Sequence, residues 1–382
     1  MTTTSPIWLK IEQAAKLVGL DAESLCKRAL IKHKQQKGLQ EKGASLSVAQ
    51  IGRLSDQSGL PISFFLQDAM PSTANVKLRH DYNVDPKDDA TPDEMAYFRS
   101  RELLRIGTLV DRMLKTEAYK PAQKTLPKIT SKVTAADIAT ALGIEKERAP
   151  IGPKLQARLR EHGLLYLVYP IYWEARMGGA SWWHSEDVPV AVVDGRHYAP
   201  RGYFTLAHEA VHLIHHLPTK QHGHTCRLDQ YMAKAELKAE ERFTNELASE
   251  LLMPTAEYAT ARDAVNQRGI NWTVDELSKV WMVSRHALAI RLKEWELADD
   301  RDIVKFMTRP KKDPEKESWG PPLRPPQERF GLPSETAEFV RKLYEGGAST
   351  RFIEWAAKLP YQFIFQTINN LPTGEGKETA GA

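Results

Sequence analysis

Apolar positions recur with a helical period along most of this chain, and with a strand-like pattern in two short stretches. The first helical segment, LKIEQAAKLVG, places four apolar residues near one face: Leu9, Ala14, Leu17 and Val18. Gly19 ends this run, and similar segments separated by turn formers continue to residue 66. The pattern therefore predicts four or five short helices in the N-terminal region.

The middle of the chain mixes helices with strands. Thr91, Pro92 and Glu94 form a helix-start signature, which predicts one long helix in TPDEMAYFRSRELLRIGTLVDRML. Two further helices are predicted in VTAADIATALGI and GPKLQARLREHG. GLLYLVYPIY and DVPVAVVDG are rich in branched and aromatic residues and bounded by turn formers, so they predict strands.

Helical periodicity returns in the second half of the chain. It predicts helices in FTLAHEAVHLIHHL and in KAELKAEERFTNELASELLM, with the polar segment PTKQHGHTCRLDQ between them as a loop. TVDELSKVWMVSRHALAIRLKEWEL predicts two helices around a turn at 282–284. Seven prolines at 310–333 predict a semi-extended linker before the last helices.

Composition and charge narrow the function classes. The two cysteines, Cys26 and Cys226, exclude a disulfide framework. We find no secretory signal and no apolar stretch long enough to span a bilayer, so we expect a cytoplasmic protein without a membrane partner. The net charge of the chain is +4. Residues 1–60 hold nine basic and five acidic residues, so their excess of positive charge equals that of the whole chain. This basic module suggests contact with a polyanion, although a solvated helical surface explains it equally well.

The segment FTLAHEAVH contains a metal-binding motif. His208 and His212 are four residues apart, so on a helix both imidazoles share one face and can bind one zinc ion. Glu209 points about 100° around the helix from His208 and can reach a water molecule beside the metal. There it can act as general base, which is the chemistry of an HExxH zinc hydrolase.

A zinc site of this kind needs a third protein ligand. Within the later helix, the segment KAEERFTNELASELLMP offers four carboxylates, Glu240, Glu241, Glu246 and Glu250. Spacing alone does not choose among them. His215 is a rival, but three ligands from two turns of one straight helix converge poorly on one ion. We therefore expect His215 and His216 to face solvent or to support the ligands. His222, His224 and Cys226 lie on a polar segment without a second ligand pair at metal spacing.

With these motifs the chain resembles the ImmA/IrrE metallopeptidases. The resemblance rests on FTLAHEAVH, ERFTNELASELLMP and VSRHALAIRLKEWEL, and loosely on GLPISFFLQ and LRHDY. It implies that Glu241 is the third zinc ligand, with Asn245 and the Leu251–Pro254 segment also matching the family pattern. Thr244 and Leu247 depart from that pattern in packing only. The resemblance also implies a narrow protein target, commonly a helix-turn-helix repressor. Asn245, one turn after Glu241, is a candidate partner of a zinc ligand.

Two segments have the pattern of DNA-reading helices. In ALIKHKQQKG, the candidates for phosphate contacts are Lys32, Lys34 and Lys37. Gln35 or Gln36 is a candidate for reading a base edge. The same element also fits a helix-turn-helix relic that contacts protein. In the pair at 273–297, the basic residues Arg285, His286, Arg291 and Lys293 follow the turn. Here we favour a packed helical appendage of the peptidase.

Together these observations predict an α+β fold with a zincin-like peptidase core, a small β-sheet and helical additions on both sides. The predicted parts are a helix-turn-helix-like module at 1–70, a linker and long helix at 71–125, the core at 126–265, a helix-turn-helix-like appendage at 266–305, a Pro-rich linker at 306–333 and a helical segment with tail at 334–382. The predicted function is a zinc-dependent endopeptidase that cleaves a specific regulatory protein. The alternative is a DNA-binding transcriptional regulator or antitoxin-like protein whose peptidase site is dormant.

Overall fold

The computed structural model describes residues 5–41, 44–66, 92–114, 122, 124–169, 171, 175, 177–185, 188–194, 199–217, 224–227, 235–307, 334–357, 364–365 and 367–368. The predicted linker at 71–91 and the Pro-rich stretch at 310–333 lie outside these residues, as does LRHDY. Most of the predicted loop PTKQHGHTCRLDQ and the side chains of the Thr91–Glu94 signature also lie outside these residues. The chain divides into two compact units, one drawn from 1–117, 171–177 and 227–234, the other from 118–170, 178–226 and 235–382.

The first unit begins with short helices, as the periodicity predicts. They are α1 (Pro6–Leu17), α2 (Ala22–Arg28), α3 (His33–Gln40), α4 (Val48–Ser58) and α5 (Ile62–Leu66), followed by the long α6 (Pro92–Leu114). Their apolar faces enclose a core that includes Ile11, Leu25 and Leu54, and Tyr97 of α6 completes it. The Tyr97 hydroxyl donates to the Gln57 carbonyl over 2.9 Å, which satisfies its polar atom inside the core.

Cys26 belongs to this first core. Its side chain is fully buried, and burial raises the pKa of the thiol to about 12. The thiol therefore stays protonated and packs as a small apolar group.

The second unit contains the sheet. Its strands are β1 (Leu165–Tyr169), β2 (Met177–Ser185), β3 (Val188–Asp194) and β4 (His224–Arg227), in the order β1-β3-β2-β4. β1 and β3 are parallel, with Leu165 opposite Val190, and β2 is antiparallel to β3, with Ser181 opposite Ala191. The loop predicted for the polar segment is wrong at β4, because backbone pairing beside β2 makes these residues a strand whatever their polarity.

The second unit also contains helices on both sides of the sheet in the sequence. They are α7 (Ala135–Leu142), α8 (Ile151–Glu161), α9 (Ala199–Val211), α10 (Ala235–Leu252), α11 (Tyr258–Trp281), α12 (Arg285–Glu294), α13 (Asp300–Met307), α14 (Ser334–Glu345) and α15 (Thr350–Ala357). α11 carries a non-helical residue, Gly269, and ends before the predicted turn at 282–284. The α+β class and the small sheet predicted from the sequence are confirmed, and the architecture is consistent with a zincin-like fold.

α9 is the central helix of the second unit. Every residue from Thr205 to Val211 is buried, and the helix packs against β3, α8 and α10. A helix that is apolar on nearly all sides belongs in an interior. α8 approaches it closely, because a Cβ added at Gly152 would lie 2.5 Å from Cγ of Tyr203. The polar side chains of α9 are therefore held inside the protein.

Candidate metal centre

His208 and His212 meet at the end of α9. Their Nε2 atoms are 3.0 Å apart, and the two residues are exposed by 2% and 0%. α9 ends at Val211, and His212–His216 form a π-helical turn. The i, i+4 spacing therefore brings both imidazoles to one point, as the sequence predicts.

Glu241 of α10 supplies the third group at that point. Its Oε2 lies 3.0 Å from Nε2 of His208, and its Oε1 lies 3.7 Å from Nε2 of His212. Ligands about 2.0–2.2 Å from a tetrahedral metal ion are separated by about 3.3 Å, so the spacing of these three groups fits a metal site. Among the residues that the structure describes, His208, His212 and Glu241 form a cluster that could hold a metal ion.

The other three candidate carboxylates lie elsewhere. Glu246 is exposed, and Glu250 lies 3.8 Å from Nη2 of Arg291. Oε1 of Glu240 is 3.9 Å from Nδ1 of His212, on the side of the ring away from Glu241. Of the four candidates, only Glu241 reaches the Nε2 atoms of both histidines.

Asn245 contacts the outer side of His208. Its Oδ1 lies 3.0 Å from Nδ1 of His208. An amide oxygen only accepts, so this contact places the His208 proton on Nδ1 and leaves Nε2 with a lone pair directed at the cluster.

His215 and His216 are half-buried and support the motif helix. Nδ1 of His215 lies 2.9 Å from the carbonyl oxygen of Ile129, and Nδ1 of His216 lies 3.0 Å from Nδ1 of His212. The structure thus places His215 against backbone, away from the three clustered groups. His216 instead touches one of them.

Glu209 is completely buried beside β2. Oγ of Ser181 donates to its Oε2 over 2.6 Å, and Ser181 is also fully buried. Gly179, two residues earlier on the same face of β2, leaves room for the carboxylate, because a Cβ there would lie 2.9 Å from Oε1 of Glu209. Both residues were missed by the sequence interpretation, since the glycines in RMGGASWWHSE hide the strand pattern.

The comparisons with known proteins point to the same segment. Residues 176–293 match the peptidase M78 family model, described as the IrrE N-terminal-like domain. Over these residues the chain is similar to that domain. This match confirms the resemblance to the ImmA/IrrE family and supports a peptidase activity. No curated protein and no solved structure matches the chain.

The IrrE N-terminal-like domain contains every residue of the cluster. It begins at β2, which carries Gly179 and Ser181, and ends within α12. No described helix in the chain is long and apolar enough to cross a membrane.

At its end, this domain includes the second candidate DNA-reading pair. Nε of Arg291 donates to the carbonyl oxygen of Met253 over 3.1 Å, and the residue is 8% exposed. Arg285 pairs with Asp275 over 2.6 Å, and Lys293 pairs with Asp300. Burial lowers the pKa of His286. Arg285, Arg291 and Lys293 thus pair with groups of the protein, and His286 is half-buried.

The lysines predicted for DNA contact lie on α3 and at its start, outside the IrrE N-terminal-like domain. Lys32, Lys34 and Lys37 are exposed. Gln36 is buried and its amide donates to the Ile31 carbonyl over 2.8 Å, so its predicted role in reading a base edge is wrong. Gln35 is half-buried, and its amide donates to Ser45 and Gln50 and accepts from Gln50, so its polar atoms are engaged within the module.

Gly179→Ala is expected to destabilise the IrrE N-terminal-like domain. The added methyl group would lie 2.7 Å from Thr205 and 2.8 Å from the Val192 carbonyl, as well as against Glu209. Overpacking of this kind costs about 1–3 kcal/mol in the free energy of unfolding. Chemical denaturation measures this loss, and Gly52→Ala is the control because nothing lies within 4 Å of a Cβ there. Equal stability of Gly179→Ala and wild type would contradict the packing described for β2.

Proposed function

We propose that the chain is a zinc-dependent endopeptidase. The observation that carries the proposal is the meeting of two imidazole Nε2 atoms and the Glu241 carboxylate within 3.7 Å, inside a peptidase-family domain. His208, His212 and Glu241 would hold the metal ion. Zinc is the ion that this mixture of nitrogen and carboxylate ligands suits best, and three ligands are the usual number at a catalytic site.

Glu209 is the general base in this proposal. A zinc ion held by His208, His212 and Glu241 would supply Lewis-acid chemistry, which activates water and polarises a peptide carbonyl group. The Glu209 carboxylate accepts a proton from the attacking water and then delivers it to the leaving amine. Ser181 keeps the carboxylate in place through its 2.6 Å hydrogen bond.

Burial of these groups supports the mechanism. His208, Glu209, His212 and Glu241 are all at most 4% exposed. Charge interactions are much stronger in such a water-poor setting than at a surface, so a carboxylate there acts strongly on a bound cation and on a proton. Asn245 fixes the orientation of one imidazole and thereby its donor atom.

We further propose that the substrate is a specific regulatory protein, such as a helix-turn-helix repressor. The family resemblance supports a narrow target of this kind. The chain also has a separate helical module with its own core, α1–α5, which offers a surface for recognising such a partner. A cytosolic peptidase without such restraint would damage its own cell.

The alternative function is a DNA-binding regulator whose peptidase site is dormant. The exposed lysines Lys32, Lys34 and Lys37 on one short element favour it, because clustered lysines bind phosphates. On this interpretation the N-terminal module binds duplex DNA directly.

One experiment on the purified full-length chain separates these functions. Metal content is measured first, then cleavage of casein and of a candidate helix-turn-helix regulator, taken first from the neighbouring genes. About one zinc per chain, single-site cleavage of the regulator and slow digestion of casein are expected. Rapid, unspecific casein digestion would contradict the narrow target. A chain without zinc that binds duplex DNA, more weakly as salt rises, would support the alternative.

A further inference from the structure

The two histidines of the metal cluster differ at their outer nitrogens. Nδ1 of His208 faces an amide oxygen of Asn245, whereas Nδ1 of His212 lies 3.0 Å from Nδ1 of another imidazole, His216. Oε1 of Glu240 lies 3.9 Å from the same His212 nitrogen. His212 therefore has a supporting pair that nothing in the HExxH pattern describes.

His216 lies four residues after His212, an interval that places both side chains on one side of a helical turn. Residues His212–His216 are π-helical, so each hydrogen-bonded ring encloses one residue more than in an α-helix. Both imidazoles lie within this turn, with ring centroids 4.9 Å apart. Single π-helical turns occur often at functional sites, and they alter which side chains meet across a turn.

The hydrogen-bond chemistry assigns a direction to this contact. An imidazole that binds a metal through Nε2 carries its proton on Nδ1, so its outer partner must be an acceptor. Asn245 meets this condition for His208. His216 meets it for His212 in the tautomer with the proton on Nε2, because its Nδ1 then has a lone pair.

We propose that His216 is a positioning residue for His212, accepting the Nδ1 proton so that Nε2 points at the metal. Glu240 lies beyond hydrogen-bond distance and acts through its negative charge beside the donating nitrogen. The proposal rests on the proposed zinc site. It assigns to His216 a role that Asn245 has on the other ligand.

The same three side chains have the spacing of a second metal site: His212, His216 and Glu240. Such a site would require His212 to bind one ion through each nitrogen and therefore to carry no proton on either nitrogen. Its Nε2 already belongs to the first cluster. A positioning role needs only the proton that a neutral imidazole carries.

The test measures zinc binding by the full-length chain, with no substrate needed. Zinc affinity is determined by competition with a chromophoric chelator for wild type, His216→Ala and His216→Asn. His215→Ala is the matched control, because that neighbouring imidazole contacts the Ile129 carbonyl. The absorption spectrum of the Co²⁺-loaded proteins then reports the geometry of the ligands.

His216→Ala is expected to weaken zinc binding by about 10–100-fold and to change the Co²⁺ spectrum, with one ion still bound per chain at saturation. The Asn side chain has an acceptor oxygen, so His216→Asn should recover part of the affinity. His215→Ala should bind zinc like wild type.

Equal zinc affinity of wild type and His216→Ala would overturn the positioning role. Two ions per wild-type chain, falling to one in His216→Ala, would overturn it in favour of a second metal site. A wild-type chain that binds no zinc would instead refute the proposed function itself. Melting of the metal-free variants shows whether any loss of affinity comes from misfolding, and the His216→Asn result decides the question if His216→Ala does not fold.

Discussion

Glu209→Gln is expected to retain zinc and the native fold while losing nearly all peptide hydrolysis. The glutamine amide has the shape of the carboxylate and still accepts a hydrogen bond from Ser181, so packing beside β2 is preserved. An amide does not take a proton from the attacking water, and loss of a general base lowers the rate by about 10²–10⁴-fold. Zinc content and cleavage of the partner regulator are measured on the same preparation.

The control for this variant is Glu246→Gln, an exposed carboxylate on α10. It removes one negative charge at a distance from the cluster and should leave both zinc content and cleavage unchanged. If Glu209→Gln instead loses zinc, the residue is a ligand and the proposed division of roles is wrong. Undiminished cleavage by a zinc-loaded Glu209→Gln chain would remove Glu209 from the mechanism.

His212→Ala is expected to abolish zinc retention and to lower Tm when zinc is present. A metal that binds only the folded chain stabilises it by about 2.7 kcal/mol when its concentration is 100 times Kd. That stabilisation disappears with the ligand. Glu241→Gln should weaken zinc binding as well, because the carboxylate lies 3.0 Å from one imidazole nitrogen and 3.7 Å from the other. Metal analysis after dialysis and thermal unfolding with and without added zinc measure both effects.

Glu250→Gln is the matched control for Glu241→Gln, since it lies on the same helix and approaches Arg291 rather than the histidines. It should bind zinc like wild type. Full zinc occupancy in His212→Ala would refute the ligand assignment. Identical metal content in Glu209→Gln and Glu241→Gln would show that the roles of the two carboxylates have been confused.

Most of the helices, two of the four strands and the pairing of His208 with His212 follow from the sequence, because they depend on local spacing. Helical periodicity placed α1–α5 and the long α6, and branched residues placed β1 and β3. The four-residue interval between His208 and His212 was enough to put both imidazoles on one side of a helix. These features involve residues a few positions apart, where backbone geometry alone sets which side chains are neighbours.

The choice of distant groups that meet this motif depends on the packing of the whole fold. It brings Glu241, and not Glu240, Glu246 or Glu250, to both Nε2 atoms, a choice that the sequence could make only through a family resemblance. It places Ser181 and Gly179 of an unpredicted strand against Glu209.

The π-helical turn and the orientation of Gln36 also depend on tertiary structure. The spacing of the motif does not show that His212–His216 form a π-helical turn, and polarity does not show that Gln36 is turned inward towards the Ile31 carbonyl. Periodicity specifies which residues share a face of one element. Which face then packs against which partner is set by the shape and burial of whole elements far apart in the chain, and this is why these contacts emerge only in the folded protein.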